Sequence, residues 1–325
     1  MQQVLDFLKH TAIKVGLFLR SNWAYLLWGV FHIVLAYFIL CGFLGTKEAG
    51  LQATVIIYGC SLAFALSPVG EFIVRALEGA RPVKTMKDKN YLMPLFEEVY
   101  EEARTQTPSI SKKIKLYLSE DKYVNAFAIG RRTVGVSRGA MESMGREELK
   151  GLIAHEFGHM AHGDTKALMI TLVGNGFFSA IVFGCKMIMR FMVVLWNIFS
   201  SSKIQGRAIV RITGNLIWFS VRMLFSYSIS LFLLLGSFLL ALNSRYSEYL
   251  ADHYAFQIGY GEQLKEALYM LNNSNMGGMK TLKQLLRARH PHITDRIARL
   301  EQKLGLMDDE SWQSKKPAHT WPGTP

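Results

Sequence analysis

Four stretches of the chain contain no Asp, Glu, Lys or Arg residue and are long enough, or nearly long enough, to cross a lipid bilayer. They cover residues 21–46, 49–70, 167–185 and 223–244, which is 26, 22, 19 and 22 residues respectively. A membrane-spanning helix needs about 20 mostly apolar residues, because the hydrocarbon core is about 30 Å thick. The mean hydropathy of +0.16 is also high for a soluble enzyme. We therefore predict four transmembrane helices, although the 19-residue run could instead be a buried core helix.

Between the second and third runs lies the pattern His155-Glu156-Phe157-Gly158-His159. Two histidines four residues apart lie on one face of a helix, so both imidazoles can reach the same metal ion. The glutamate between them is placed to take a proton from a water molecule at that metal. The pattern indicates zinc-dependent hydrolysis, although a short motif of this kind also occurs by chance on surface helices. A catalytic zinc usually has three protein ligands, so a third must lie elsewhere.

The best candidate for the third ligand is Glu248. Glu248 and Asp252 are again spaced four residues apart. A helix carrying both could present Glu248 to the metal, while Asp252 accepts the free ring N–H of a zinc-bound histidine. Arg245 is a candidate partner of these acids, and it is also consistent with a surface ion pair. The nearer His162 suits the role less well, because three ligands on one continuous helix would crowd the metal.

These motifs resemble those of the HtpX-type membrane metalloproteases, which are related to the zinc-dependent CAAX prenyl proteases. H-E-F-G-H followed by S-R-x-x-E-x-x-A-D carries the resemblance. Three further stretches match in the same order: V-N-A-F-A-I-G at 124–130, V-G-V-S-R-G at 134–139, and H-P…R-I at His290-Pro291 and Arg296-Ile297. The resemblance covers roughly residues 20–304.

The site that the resemblance implies contains residues in four roles. The metal ligands are His155, His159 and Glu248, the catalytic residues Glu156 and His290, the supporting residues Asp252, Arg245 and Arg296, and the substrate-binding residues Asn125 and Ala126. In the family, a histidine at the place of His290 is thought to stabilise the tetrahedral intermediate, with Arg296 supporting it. The segment at Asn125 resembles an edge strand beside the zinc, which could pair with an extended peptide. It could equally be an ordinary strand.

The expected fold is mainly α-helical with a small antiparallel sheet, four transmembrane helices and a gluzincin-like cytoplasmic zinc-protease domain that is discontinuous in sequence. Alternating apolar and polar residues predict strands at 113–119, 123–129 and 133–137, the last two joined by a turn at 130–132. Helical periodicity predicts helices at 90–107, 147–163 and 246–259.

The spans and motifs divide the chain into five predicted segments. The membrane regions are 1–75, with helices at about 23–45 and 50–70, and 167–244, with helices at about 167–189 and 223–244. The two parts of the catalytic domain are 76–166 and 245–305, and residues 306–325 form a disordered tail.

The zinc ligands and the basic residues together predict the orientation. His155 and Glu248 must meet at one ion, so an even number of crossings separates them, and the third and fourth runs supply two. Eleven Lys and Arg residues flank the spans on the side of the termini and catalytic segments, against seven on the other side. The positive-inside rule then predicts a multi-pass protein of the inner or plasma membrane with a cytoplasmic active site. The segment 186–222 fits poorly, because it holds six basic residues and no acids; a longer, tilted helix would let these charges face water or headgroups.

The chain is thus predicted to be a membrane-embedded zinc endopeptidase that acts on protein or peptide substrates. The resemblance implies a role in quality control of damaged or misassembled membrane proteins. A protease that processes prenylated proteins would be expected to have more spans, and a non-enzymatic scaffold would be expected to lose Glu156 or a ligand. The net charge of +12 is accounted for by basic flanks that face anionic lipid. No nucleic-acid reader module appears.

Overall fold

The computed structural model describes residues 16, 18, 19, 21–199, 207–274 and 293–305. This part of the chain is mainly helical with one small sheet, as predicted. Its helices are α1 (Trp23–Leu44), α2 (Lys47–Ala65), α3 (Pro68–Leu77), α4 (Met86–Gln106), α5 (Arg138–Ser143), α6 (Arg146–His162), α7 (Asp164–Phe199), α8 (Arg207–Gln257), α9 (Gly261–Ser274) and α10 (Ile293–Lys303), and its strands are β1 (Ala80–Pro82), β2 (Lys115–Ser119), β3 (Ala126–Ile129) and β4 (Thr133–Ser137).

The sheet is mixed, so the prediction of an antiparallel sheet was wrong. The strand order is β1-β2-β4-β3, with β2 and β4 parallel and the two outer pairs antiparallel. All five residues of β4 are buried, which accounts for its central place in the sheet. The chain leaves β2 at Ser119, passes the end of β4, and begins β3 on the far side. The hairpin turn after β3, where Gly130 has φ +58°, then leads into β4. Strand β4 therefore lies between β2 and β3 and runs parallel to β2.

The helix that carries the H-E-x-x-H pattern has the predicted extent. It runs from Arg146 to His162 and ends at Gly163, which adopts the left-handed conformation with φ +82°. A glycine has no Cβ to clash in this conformation, so it ends helices readily. Phe157 is fully buried and stacks on Tyr100 of α4, with ring centroids 5.7 Å apart. The helix is therefore held in a core by one face while its histidines lie on another.

The structure separates into two compact units. Among the described residues, one unit comprises those within 1–23, 64–169 and 243–325, and the other comprises those within 24–63 and 170–242. The first unit contains the sheet, and its buried apolar residues from α4, the sheet, α6, α8, α9 and α10 form one core. The second unit contains most of α1 and α2 together with the C-terminal part of α7 and the N-terminal part of α8.

Two helices in the described part of the chain are long and apolar enough to cross a membrane. They are Trp23–Leu44 and Lys47–Ala65, the first two of the predicted four spans. The other two uncharged runs, 167–185 and 223–244, lie on α7 and α8, which have 36 and 51 residues. The prediction of a separate helix at 246–259 was therefore wrong, because α8 continues without a break from the fourth run into that segment. Most of the basic segment 186–222 is likewise helical.

Candidate active site

The active-site helix α6 and the long helix α8 approach each other closely at a glycine. A Cβ atom added at Gly158 would lie 2.7 Å from the Cα atom of Ala251 and 2.9 Å from its carbonyl oxygen. Gly158 directly precedes His159, and Ala251 lies between Glu248 and Asp252. Gly158 occupies the second variable position of the H-E-x-x-H pattern. A side chain at this position would prevent the backbones of α6 and α8 from meeting there.

We expect Gly158→Ala to destabilise the fold and weaken metal binding together. The added methyl group meets backbone atoms of α8, which cannot move aside as a side chain could, and overpacking of this kind typically costs about 1–3 kcal/mol. Thermal unfolding and zinc content measure the two effects. Gly59→Ala is the matched control, because Gly59 is also helical and nothing lies within 4 Å of an added Cβ. An unchanged melting temperature and zinc content for Gly158→Ala would contradict the close crossing.

His155, His159 and Glu248 converge where α6 meets α8. Their donor atoms all lie within 4.8 Å of one another. Nε2 of His155 is 3.3 Å from Oε2 of Glu248, and Nε2 of His159 is 3.5 Å from Oε1 of the same carboxylate. Two imidazole nitrogens and a carboxylate oxygen form the ligand set typical of a catalytic zinc site in a peptidase. The three residues therefore fit a zinc ion.

The ring of His155 is oriented by Asp252, one turn after Glu248 on α8. Nδ1 of His155 is 2.9 Å from Oδ1 of Asp252, which leaves Nε2 facing Glu248. Burial alone would raise the pKa of Asp252, but Arg296 and His155 outweigh it and hold the pKa below its ordinary value. The carboxylate is therefore charged and accepts the ring N–H. The sequence predicted this role for Asp252 but left open which histidine it serves.

Arg296 is a buried guanidinium group at the same site. Nε and Nη2 donate to the two carboxylate oxygens of Asp252 at 2.8 and 2.6 Å, and Nη1 lies 2.8 Å from Oε2 of Glu248. Burial acts to lower the pKa of Arg296, but Asp252 and Glu248 raise it overall. Arg296 therefore stays charged and compensates two buried acids.

We expect Arg296→Met to destabilise the metal-free protein strongly. Removing one partner of a buried ion pair typically costs about 3–5 kcal/mol, because the remaining charge is left buried without compensation. Thermal unfolding with and without zinc measures this, and zinc should restore part of the loss by neutralising Glu248. Arg299→Met is the control, because Arg299 lies on the same helix but stacks on Tyr249 at 3.7 Å. Equal melting temperatures for the two variants would argue against the buried pair.

The ring of His159 is oriented by two residues that the sequence analysis did not assign to the site. Nδ1 of His159 is 3.0 Å from Oδ2 of Asp164, the first residue of α7. The hydroxyl of Ser247 donates to the same carboxylate oxygen and lies 3.2 Å from Nδ1 of His159. Asp164 directly follows Gly163, where the active-site helix ends. In the sequence, this position next to the end of the helix was the only indication that Asp164 could contact a ligand histidine.

The carboxylates around the two ligand histidines act to favour protonation of their rings, because they raise both pKa values. Burial acts to lower the pKa of His159, but its hydrogen bonds with Asp164 and Glu248 raise the pKa well above the ordinary value. Hydrogen bonds with Asp252 and Glu248 likewise raise the pKa of His155, against burial and Arg296. A metal must displace these protons, so zinc binding weakens as the pH falls.

Glu156 is buried beside the three ligands. The residue is 8% exposed, and its negative charge contributes to the raised pKa of both His159 and Arg296. Glu156 does not belong to the group of potential ligand atoms found in the described part of the chain. It is therefore available for a role other than holding the metal.

The remaining predicted site residues have different surroundings. Ala126 begins β3, which forms one edge of the sheet and packs against α6. The backbone N–H of Asn125 donates to the hydroxyl of Ser137 at 2.9 Å. Arg245 is exposed, and its supporting role stays a prediction. His290 lies outside the described residues.

Comparison with known proteins identifies the family. The model of peptidase family M48 matches residues 87–304, which contain all of the candidate site residues. The chain belongs to peptidase family M48. M48 peptidases are zinc-dependent, so this chain is a metallopeptidase, and its predicted zinc cofactor is confirmed.

Known relatives of this M48 peptidase agree with the resemblance seen in its motifs. It is 25% identical to Protease HtpX of Shewanella halifaxensis (strain HAW-EB4) over 306 residues, 88% of this chain and 98% of that protein. It is 24% identical to Protease HtpX of Shewanella sp. (strain ANA-3) over 309 residues, 89% of this chain and 99% of that protein. Among solved structures, the crystal structure of S. mikatae Ste24p is similar with a TM-score of 0.48 and 17% identity, covering 83% of this chain and 62% of that one.

Proposed function

We propose that this M48 metallopeptidase is a membrane-embedded endopeptidase that hydrolyses peptide bonds with a single zinc ion. The observation that carries the proposal is the convergence of His155, His159 and Glu248, with Glu156 buried beside them. Each histidine directs one ring nitrogen toward the shared carboxylate and the other toward an aspartate. This arrangement presents lone pairs to a metal and leaves one acid free for proton transfer.

Glu156 acts as the general base and then as the general acid. His155, His159 and Glu248 would hold the zinc ion, which would supply the Lewis acidity that polarises a carbonyl oxygen and acidifies water. Glu156 takes a proton from the attacking water and delivers it to the leaving amine nitrogen. Asp252 and Asp164 hold the two imidazole rings in orientation throughout, and we assign His290 to stabilisation of the oxyanion.

We assign the binding of the peptide substrate to the segment at Asn125 and Ala126. Strand β3 is at an edge of the sheet and packs against the active-site helix. An extended peptide that adds to such an edge is held by main-chain hydrogen bonds rather than by its own side chains. This mode of binding suits an enzyme that cuts unfolded segments of many sequences.

We further propose four membrane crossings, the third and fourth supplied by α7 and α8. Both helices exceed the length needed to span the bilayer. The membrane regions are then 1–75 and 167–244, the catalytic parts are 76–166 and 245–305, and residues 306–325 form a tail. The excess of basic residues beside the catalytic parts supports a cytoplasmic active site in the inner or plasma membrane.

Labelling single cysteines with a membrane-impermeant thiol reagent tests this topology in a cysteine-free background. A cysteine replacing Lys84 should be protected in intact cells, whereas one replacing Lys203 should react. Reaction at position 84 but not at position 203 would show that the orientation is the reverse of the proposed one. Equal reactivity at both positions would contradict the third membrane crossing, which lies between them.

An active site beside the bilayer is suited to segments of membrane proteins that have lost their structure. Together with the similarity to HtpX-type proteases, this supports a role in quality control of membrane proteins. The bilayer and protein substrates are then the partners of this enzyme.

Cleavage of an unfolded model protein in detergent tests the proposed activity. The enzyme is purified with chelator to limit self-cleavage and assayed with and without added zinc. We expect internal cleavage only after zinc is restored. Cleavage in the presence of chelator, or release of terminal residues only, would contradict a zinc endopeptidase.

A further inference from the structure

The aspartate beside His155 has its charge compensated inside the protein. Both oxygens of Asp252 accept hydrogen bonds from Arg296, at 2.8 and 2.6 Å. Asp252 and Arg296 are 4% and 7% exposed, so water screens this pair little. Arg296 therefore balances part of the negative charge of Asp252 without any metal, although the same guanidinium group also faces Glu248.

The aspartate beside His159 differs in this respect. Asp164 is 7% exposed, and in the described ranges its partners are the ring of His159 and the hydroxyl of Ser247. Within those ranges no lysine or arginine pairs with it, and its Oδ1 atom has no hydrogen-bond partner. A buried carboxylate is costly unless a positive charge lies nearby. The neighbouring group that can carry one here is the ring of His159, or a metal ion held by that ring.

We propose that Asp164, positioned by Ser247, supplies the negative charge that sets the zinc affinity of this site, because no lysine or arginine of the described residues pairs with it, whereas Asp252 and Arg296 together mainly hold the site in its folded geometry. The inference rests on the zinc site of the proposed function. It assigns zinc affinity mainly to one buried aspartate and stability of the folded site mainly to the other. A residue that accepts the outer ring N–H of a ligand histidine raises the basicity of that ligand. A carboxylate already bound by an arginine does so less, because the arginine draws on the same lone pairs.

Ser247 links the two ligand-bearing helices through this carboxylate. It directly precedes Glu248 on α8, and its hydroxyl donates to the same oxygen of Asp164 that lies beside His159. The carboxylate at the start of α7 thus fixes both the ring of one ligand and the helical turn that carries another. Loss of the hydroxyl should loosen both at once.

The test compares Asp164→Asn with Asp252→Asn in the full chain, in detergent, on a Glu156→Gln background that prevents self-cleavage. Zinc affinity is measured by competition with a chromophoric chelator, and the stability of the metal-free protein by thermal unfolding. We expect Asp164→Asn to weaken zinc binding about 10- to 100-fold with little change in the melting temperature. Asp252→Asn should weaken zinc binding less but lower the melting temperature more, because Arg296 loses a charged partner.

A zinc affinity of Asp164→Asn equal to that of the parent, or a larger loss of affinity in Asp252→Asn, would overturn the inference. If Asp164→Asn fails to fold, Ser247→Ala and Ser247→Thr test the inference instead. Weaker zinc binding in Ser247→Ala together with normal binding in Ser247→Thr would support the inference. Unchanged zinc binding in Ser247→Ala would overturn it. The parent separates this from the proposed function. A parent that binds one zinc per chain leaves only the assignment of Asp164 at stake, whereas a parent that binds none contradicts the metal site itself.

Discussion

Replacing Glu156 with glutamine is expected to abolish peptide hydrolysis while leaving one zinc ion bound per chain. Glutamine has the same shape as glutamate but cannot take a proton from water at neutral pH, and loss of a general base typically costs about 10²- to 10⁴-fold in rate. Zinc should remain, because Glu156 is not among the potential ligands found in the described residues. The two measurements are the cleavage rate of an unfolded substrate and the zinc content after dialysis.

Glu142→Gln provides the matched control for that experiment. Glu142 is exposed on the short helix α5, so its amide variant should cleave substrate at the parent rate. Substantial proteolysis by Glu156→Gln would rule out the role assigned to Glu156. Loss of zinc in the same variant would instead mean that Glu156 helps to hold the metal.

Replacing Glu248 with alanine is expected to remove zinc and activity together. Two histidines would remain as ligands, and loss of a direct ligand should exceed the roughly 10- to 100-fold loss of affinity that follows removal of an outer partner. Zinc content measured against a competing chelator should fall from one ion per chain to near zero. The helical circular dichroism spectrum shows whether the fold survives.

The control for Glu248 is Glu97→Ala, because Glu97 is exposed on α4 and should be neutral for both zinc and activity. One zinc ion per chain in Glu248→Ala, under the same chelator, would exclude Glu248 as a ligand. Loss of activity with zinc retained would assign Glu248 a different function.

Features that depend on local spacing could be predicted from the sequence. His155 and His159 face the same way because four residues make about one helical turn, and the same spacing relates Glu248 to Asp252. The extent of α6 followed from its periodicity and from Gly163. The β3–β4 hairpin followed from two apolar runs separated by a turn around Gly130.

Features that depend on distant contacts could not be predicted in this way. The parallel pairing of β2 and β4 depends on which strand takes the buried centre, and a strand pattern contains no information on its neighbours. The continuity of α8 was missed because a change from apolar to polar composition at residue 245 looks like a boundary, although the backbone hydrogen bonds of a helix do not depend on which environment surrounds it.

The amino-acid sequence by itself determined the chemistry of this protein: the H-E-x-x-H pair, a carboxylate to complete the zinc site, and apolar runs that place the enzyme at a membrane. Only the tertiary structure decided how that site is charged and oriented. Ser247 lies 88 residues from His159 in sequence, and Arg296 lies 141 residues from His155. No periodicity extends over such separations, so these partners are set by the packing of α6, α7, α8 and α10 around the buried ligands. The different roles proposed for Asp252 and Asp164 follow from that packing, because it brings the guanidinium group of Arg296 to Asp252 and the hydroxyl group of Ser247 to Asp164.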